Sequence, residues 1–155
     1  MTYVALFLKA SYDQYMFLGD EIEDAILSND APAFVHDAVR AEIAVHNAYK
    51  VIEGIWGGNL PKDIGKMERG LRALGIEPDQ KVGYTHHGIH QKQRIGDKIV
   101  ALRNARDEKA AHGRIHANRR TTYYEILDYQ ALAKAVLSLY LRNKYPDLDL
   151  WTASN

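Results

Sequence analysis

The sequence predicts an all-α protein, an up-and-down bundle of about five helices. Three observations indicate this fold class. Apolar residues recur every three or four positions over long stretches, short runs rich in Gly, Pro, Asn and Asp separate these stretches, and no segment shows convincing strand alternation. A chain of 155 residues suits one domain. We therefore expect a single bundle over residues 1–145 and a short C-terminal tail over residues 146–155.

The first two predicted helices are long. The first runs from Val4 to Ile26, and the segment "SNDAP" interrupts it, with Asp30 placed to cap a second helix and Pro32 acceptable in its first turn. The second helix has three alanines in its apolar stripe, which allow a neighbouring helix to approach closely, and it should end at Gly57-Gly58. The stripes are Val4, Leu8, Tyr12, Tyr15, Ile22 and Ile26 on the first helix, and Val35, Ala38, Ala41, Val45, Ala48, Ile52 and Ile55 on the second.

The third predicted helix is short and stops at Gly75, and residues 76–88 are expected to form a connecting loop. The fourth helix is predicted from about His86 to His112. The apolar positions are Ile64, Met67, Leu71 and Leu74 on the third helix, and Ile95, Ile99 and Leu102 on the fourth.

The fifth predicted helix begins at Thr122, whose spacing to Glu125 is that of a capping box, and it stops before Pro146. Its apolar stripe supports this assignment over more than four turns. The stripe is Ile126, Tyr129, Ala133, Val136 and Tyr140.

The composition excludes several classes of function. The chain has no cysteine, so disulfides, thiolate zinc sites and cysteine nucleophiles are excluded. The 20 Lys and Arg residues balance 20 Asp and Glu residues, so any patch for phosphates must be local, and residues 103–120 are the place to look. No apolar run is long enough to cross a bilayer and the start lacks a signal-peptide pattern, so we expect a cytoplasmic protein without membrane contact.

Arg106 lies where the fourth helix should bury apolar side chains. It follows Leu102 by four residues, so its guanidinium points toward the core. Burying this charge unpaired would be costly, so Arg106 must find a carboxylate, an interface cleft or an anionic ligand. In one interpretation it pairs with a local acid such as Asp107 or Glu108.

Arg103, one turn before Arg106, favours the anionic ligand. Two guanidiniums one turn apart repel each other unless they share an anion, and phosphate is an anion that arginine binds well. His112 supplies a side chain that titrates near neutral pH. Along an unbroken helix it would lie roughly 120° from Arg106, so convergence requires the helix to end near Ala110-Ala111 or a second chain to contribute.

The segment Arg106-Asp107 followed by His112 resembles the signature of HEPN domains. In that signature an arginine precedes a polar residue, often Asn, Asp or His, and a histidine follows after four to six intervening residues. The run "ARDEKAAHG" looks most like the branch found in abortive-infection and toxin–antitoxin proteins. The sequence likeness is confined to about residues 95–116, whereas the all-α architecture covers most of the chain.

The resemblance implies a dimer in which two motifs face each other across a cleft, and a metal-independent endoribonuclease without a cofactor. Arg106 would hold the scissile phosphate, Asp107 would orient the arginine or the histidine, and His112 would transfer protons. The ribose 2′-hydroxyl would be the nucleophile, leaving a cyclic phosphate and a 5′-hydroxyl. The partners implied are RNA or a nucleotide, a second copy of the chain and a cognate antitoxin.

Further residues are candidates for contacts to flanking phosphates and bases. The basic run after His112 is equally well explained as a solvated linker, and tyrosines at helical spacing are more often core residues than base-stacking ones. The run also departs from the family, because relatives paired with nucleotidyltransferase-type antitoxins often place a tyrosine shortly after the histidine. The candidates are Arg103, Asn104, Arg114, His116, Arg119, Arg120 and Tyr123, with Tyr124 as an alternative to Tyr123.

Two other functions remain open. One is a HEPN-like RNA-binding, nucleotide-binding or protein-interaction module that cuts nothing. The other is a helical metal site, since His86 and His90, and also His112 and His116, have the i, i+4 spacing of metal ligands on a helix. Neither pair has a third ligand at a recognisable spacing, which makes the metal site the weaker hypothesis.

The other histidines are assigned no chemistry. His87, together with His86 and His90, is expected to form a polar helix start near the cleft or to face water. His36 and His46 lie off or beside the stripe of the second helix without a recognisable partner, and both are predicted to be structural.

Overall fold

The computed structural model describes residues 2–19, 38–83, 85–86, 89–90, 92–110 and 121–147. These residues confirm the all-α prediction, because they form a bundle of five helices with only two pairs of two-residue strands. The helices are α1 (Thr2–Phe17), α2 (Ala38–Trp56), α3 (Ile64–Ala73), α4 (Ile95–Ala110) and α5 (Tyr123–Lys144). The strands are β1 (Lys81–Val82), β2 (Thr85–His86), β3 (Ile89–His90) and β4 (Gln93–Arg94).

Helix α2 is the centre of the bundle and contacts α1, α4 and α5. Its predicted stripe is confirmed, since every stripe position from Ala41 to Ile55 is buried. Ala44, beside the stripe, is also fully buried. Small side chains at these positions bring the neighbouring helix axes close, which explains how one helix can pack against three others.

Helix α1 runs antiparallel to α2. Near its start, Val4 lies so close to Gly54 that a Cβ there would sit 2.9 Å from the valine Cγ2. At its other end, the Arg40 guanidinium lies 4.7 Å from the centre of the Phe17 ring. Opposite ends of the two helices therefore meet, as an up-and-down bundle requires.

A buried polar contact joins α1, α2 and α5. The Ser11 hydroxyl on α1 donates to the carbonyl oxygen of Ala44 on α2 at 2.7 Å. The Gln130 amide on α5 donates to the carbonyl oxygen and the hydroxyl of Ser11, at 3.0 and 3.1 Å. Ser11 and Gln130 are both buried, so this contact is insulated from competing water.

The buried face of α1 differs from the predicted stripe. Val4 is buried as predicted, but Tyr12, which belongs to the predicted stripe, is exposed, and Ser11, which does not, is buried. The Ser11 hydrogen bonds explain this difference, because they satisfy a hydroxyl that apolar periodicity assigns to the surface. Several residues of the predicted first two helices, Ile22, Ile26, Asp30, Pro32, Val35 and His36, lie outside the described residues.

The predicted ends of the second, third and fifth helices and the predicted start of the fifth are confirmed. Gly57 and Gly75 adopt φ values of 83° and 73°, the left-handed conformation that follows many helix C-termini. Thr122 accepts a hydrogen bond from the Glu125 backbone N–H, and the Glu125 carboxylate accepts one from the Thr122 backbone N–H. This capping box begins α5, which ends at Lys144, just before Pro146.

The predicted start of the fourth helix is wrong. Helix α4 begins at Ile95, and the preceding segment forms antiparallel strand pairs, β1 with β4 and β2 with β3. Val82, Thr85 and Ile89 are β-branched, which favours extended backbone over helix. The histidines of this segment have helical spacing, but these β-branched residues outweigh it.

We expect Gly70→Ala to destabilise the bundle. A Cβ at Gly70 would lie 1.9 Å from Cη2 of Trp56, so the indole must move. Alanine gains about 1 kcal/mol of helix propensity over glycine, but overpacking costs about 1–3 kcal/mol, so a net loss of about 1 kcal/mol is expected in urea unfolding. Gly65→Ala, on the same helix, is the control, because its Cβ would meet only side-chain atoms, the nearest at 3.3 Å. Equal stability of the two variants would contradict the clash.

Within the described ranges, no helix combines the length and the apolar character that crossing a bilayer requires.

Candidate functional site

Arg106 lies at the end of the buried row of α4. Ile99 and Leu102 are fully buried and Ala105 is nearly so, whereas 30% of the Arg106 side chain is exposed. Arg103, one turn earlier, has 11% of its side chain exposed. The two guanidiniums therefore lie at the edge of the core, where a charged group is partly shielded from water.

Asp107 joins the two arginines. Its Oδ1 accepts a hydrogen bond from Arg106 Nη1 at 2.8 Å, and its Oδ2 accepts one from Arg103 Nη2 at 2.9 Å. The repulsion expected between guanidiniums one turn apart is thus relieved by one carboxylate that serves both. The anion that these arginines share in the structure is a residue of the chain itself, which is the local pairing that the sequence offered as one interpretation.

Tyr49 of α2 supports the Arg106 guanidinium from below. The arginine Cζ lies 4.9 Å from the centre of the tyrosine ring, within the range of a cation–π contact. Tyr49 is buried, so its ring holds a fixed position beneath the guanidinium. The Nε of Arg106 is buried and has no hydrogen-bond partner among the described residues. This donor remains unpaired although the guanidinium is well positioned.

The electrostatics of the site keep Arg106 and Asp107 charged. The hydrogen bond from Arg106 holds the pKa of the Asp107 carboxyl below its ordinary value, and the charges of Arg103 and Lys62 act in the same direction. The same hydrogen bond raises the pKa of Arg106. Burial raises the pKa of the Tyr49 hydroxyl, and the nearby Glu53 raises it further, so that the hydroxyl stays protonated at neutral pH.

His46 of α2 lies near this site. Burial lowers the pKa of its imidazole, and the charges of Lys50 and Arg106 lower it further, against an opposing effect of Glu53. From the sequence alone, His46 is predicted to be structural. Its spacing of three residues from Tyr49 places both on one face of a helix, but only the docking of α4 shows that this face meets Arg106. The sequence thus shows that His46 and Tyr49 share a helix face, but it does not show which helix packs against that face.

Two predicted contact residues are not brought to the site. Asn104 is exposed, and it lies about 160° around α4 from Arg106, on the opposite side of the helix. Tyr123 is only 1% exposed and lies with its ring centre 4.2 Å from that of Tyr124, so it presents no open face for a base to stack on. Tyr124 is partly exposed at the start of α5.

The remaining predicted site residues lie outside the described residues. They are His112, Arg114, His116, Arg119 and Arg120. The turn expected after Ala110 lies there as well. Their place relative to Arg106 is therefore a prediction from the sequence.

The predicted metal pair at His86 and His90 does not have helical geometry. The two residues lie on paired strands, where Thr85 faces His90 and His86 faces Ile89 across the ladder. The i, i+4 argument required a helix, so it does not apply to them. Across the described part of the chain, no three His, Cys, Asp or Glu side chains group closely enough to hold a metal ion.

Comparisons with models of protein families, with curated proteins and with solved structures gave no match.

Proposed function

We propose that this chain is a HEPN-like, metal-independent endoribonuclease of a toxin or antiviral defence system, acting as a homodimer. The observation that carries the proposal is the arrangement of Arg103, Arg106 and Asp107. Two arginines lie at the edge of the core of an all-α bundle, and they share one carboxylate, so the group of three keeps a net positive charge. This arrangement suits a site for the phosphate of RNA.

Arg106 has the contacts expected of a phosphate-binding residue. The side chain is 30% exposed, so part of it is open to an oxyanion, although its Nε is buried. The Tyr49 ring lies 4.9 Å from the arginine Cζ and helps to hold the guanidinium in place. A phosphate that engages Arg106 thus meets a charged donor that is already held in place by Tyr49 and Asp107.

In the proposed reaction, Arg106 binds the scissile phosphate and Asp107 fixes the orientation of the guanidinium. His112, from the family resemblance, transfers a proton. The 2′-hydroxyl attacks phosphorus and the bond to the 5′-oxygen breaks, so the products are a cyclic phosphate and a 5′-hydroxyl. A second copy of the chain contributes the opposing motif, and a cognate antitoxin restrains the activity in the cell.

The experiment is incubation of the purified protein with total RNA in EDTA, beside a His112→Ala variant. We expect cleavage by the wild type and none by the variant, because no metal is needed and the histidine moves the protons. An absence of cleavage by the wild type would overturn the nuclease. Cleavage that EDTA abolishes would instead favour a metal-dependent reaction.

The dimer has its own measurement. Light scattering should give about twice the protomer mass of 17.6 kDa. A protomer mass at working concentration would remove a cleft built from two motifs, and with it this form of the active site.

A second candidate function is a HEPN-like module that binds RNA or a nucleotide without cutting it. The observation in its favour is that Asp107 already engages both arginines, so that one of the two positive charges is balanced by the chain itself and a single net positive charge is left to attract a phosphate. The same incubation separates the two functions, because the module would bind RNA and leave it intact.

A further inference from the structure

Most of the exposed large apolar side chains lie on two neighbouring helices. Among the described residues ten such side chains are exposed, and eight of them belong to α1 or to the first turns of α2. Six of the eight form one surface, named here the α1–α2 face. Its members are Tyr3, Leu6, Phe7 and Phe17 on α1, and Val39 and Ile43 on α2.

The six side chains lie on the same side of the helix pair. On an ideal helix the four residues of α1 fall within an arc of about 100°, and the two residues of α2 fall within about 40°. The two groups adjoin, because the Arg40 guanidinium lies 4.7 Å from the centre of the Phe17 ring and Arg40 directly follows Val39. The other exposed apolar residues of α1, Tyr12 and Met16, lie on the opposite side of that helix.

The α1–α2 face has the apolar area of a stable interface. Tyr3 is 78% exposed, Phe17 is 71% exposed and Val39 is 67% exposed. With about 150–250 Å² for a whole aromatic side chain, the six residues together leave roughly 600 Å² of apolar surface in contact with water. A standard interface buries about 800 Å² per partner, a little over half of it apolar, and apolar patches above a few hundred Å² are rare on monomers. The face is therefore large enough to pair with a second copy.

The α1–α2 face carries almost no net charge. Lys9 and Asp13 are the charged residues of α1, and they pair with each other at 2.5 Å. The Arg40 guanidinium lies over the Phe17 ring. RNA and anionic membranes both require a cluster of basic residues, which α1 does not supply. A neutral apolar face meets a copy of itself without repulsion, so the charges favour a second copy as the occupant.

We propose that the α1–α2 face is the surface through which two copies of this chain pair, each using the same residues around a twofold axis. The inference gives an interface to the homodimer of the proposed function, on which it rests for the second copy, and it does not depend on RNA cleavage. Val39 and Ile43 lie on the exposed side of α2, between α1 and the side that carries Tyr49. Pairing through this face therefore leaves Arg106 beside the interface and open to a ligand.

The test introduces a carboxylate into the face. Ile43→Asp and Leu6→Asp each place an unpaired charge in both copies of the interface, so we expect either change to raise the dissociation constant of the dimer at least about 100-fold. The control is Ile64→Asp on α3, because Ile64 is 43% exposed and Ile43 is 41% exposed, and Ile64 lies outside the face. This variant should pair as tightly as the wild type.

Sedimentation equilibrium over a range of protein concentrations measures the dissociation constants. Circular dichroism of each variant checks that the protomer keeps its helices, which we expect because Leu6 and Ile43 are already exposed in it. A wild type that stays at the protomer mass of 17.6 kDa would overturn the inference. Wild-type protomers that bind lipid vesicles through Leu6 and Ile43 would overturn it too, because the face would then belong to a membrane surface.

The remaining outcomes separate the interface from the proposed function. A dimer that survives both Leu6→Asp and Ile43→Asp overturns the interface, and RNA cleavage by that dimer leaves the ribonuclease standing. Equal weakening by Ile64→Asp overturns the interface as well, because the effect would then come from added charge alone. Loss of the dimer in Ile43→Asp, in a protein whose wild type cleaves no RNA, supports the interface while the ribonuclease fails.

Discussion

Arg106→Ala should reduce RNA cleavage by a factor of about 100 to 1,000, the usual cost of removing one positioned donor from a phosphoryl or oxyanion site. The variant loses the guanidinium that Tyr49 and Asp107 hold in place. Arg106→Lys should recover only a small part of the rate, because an ammonium keeps the charge and lacks the planar fork. The measurement is the initial rate of oligonucleotide cleavage in EDTA.

The matched control for this prediction is Arg142→Ala. Arg142 is exposed in the last turn of α5, and its substitution changes the net charge of the chain by the same amount. Its cleavage rate should equal that of the wild type. Equal losses in both variants would show that overall charge, and not the arginine site, governs the reaction. Circular dichroism checks that Arg106→Ala keeps its helices.

Asp128→Ala should lower the free energy of unfolding by about 3 kcal/mol, because it leaves the buried ammonium of Lys98 without its carboxylate. Lys98 on α4 is only 1% exposed, and its Nζ donates a hydrogen bond to the Asp128 carboxylate on α5, which is 21% exposed. In a chain of this size the melting temperature should fall by about 6–12 °C. Urea unfolding and a thermal melt measure both quantities.

A double variant identifies the origin of this loss. Lys98→Met combined with Asp128→Ala removes the stranded charge and keeps an apolar side chain of similar length, so most of the lost stability should return. Asp147→Ala, which changes an exposed carboxylate near the end of the chain, should leave the stability unchanged. A double variant as unstable as Asp128→Ala would mean that the aspartate acts through something other than Lys98.

Local rules were sufficient to predict that the described part of the chain forms five helices, and to place several of the helix ends. The glycine at position 75, the Thr122–Glu125 capping box and the alanines of α2 each act within a few residues, so the sequence predicts them without knowledge of the fold. The pairing of Arg106 with Asp107 can also be predicted from the sequence, because the two residues are adjacent. Contacts of this kind do not depend on which helices later pack together.

The parts that the sequence missed depend on contacts between distant segments. Ser11 is buried because Ala44 and Gln130 lie opposite it, and no periodicity within α1 shows this. Tyr49 and His46 belong to the arginine site only because α4 docks on that face of α2. The strands before Ile95 were missed because extended backbone there gains its hydrogen bonds from a partner segment, whereas helical spacing is visible within one segment.

The hydrogen bonds of Ser11 also determine where α2 lies relative to Arg106. Apolar helices can slide past one another with little loss of contact area, but a hydrogen bond at 2.7 Å is lost after a shift of less than 1 Å. Ser11 and Gln130 therefore fix the position of α2 along its own axis within the bundle. Tyr49 is five residues beyond Ala44 on the same rigid helix, so a contact in the dry interior determines where the ring beneath Arg106 comes to rest.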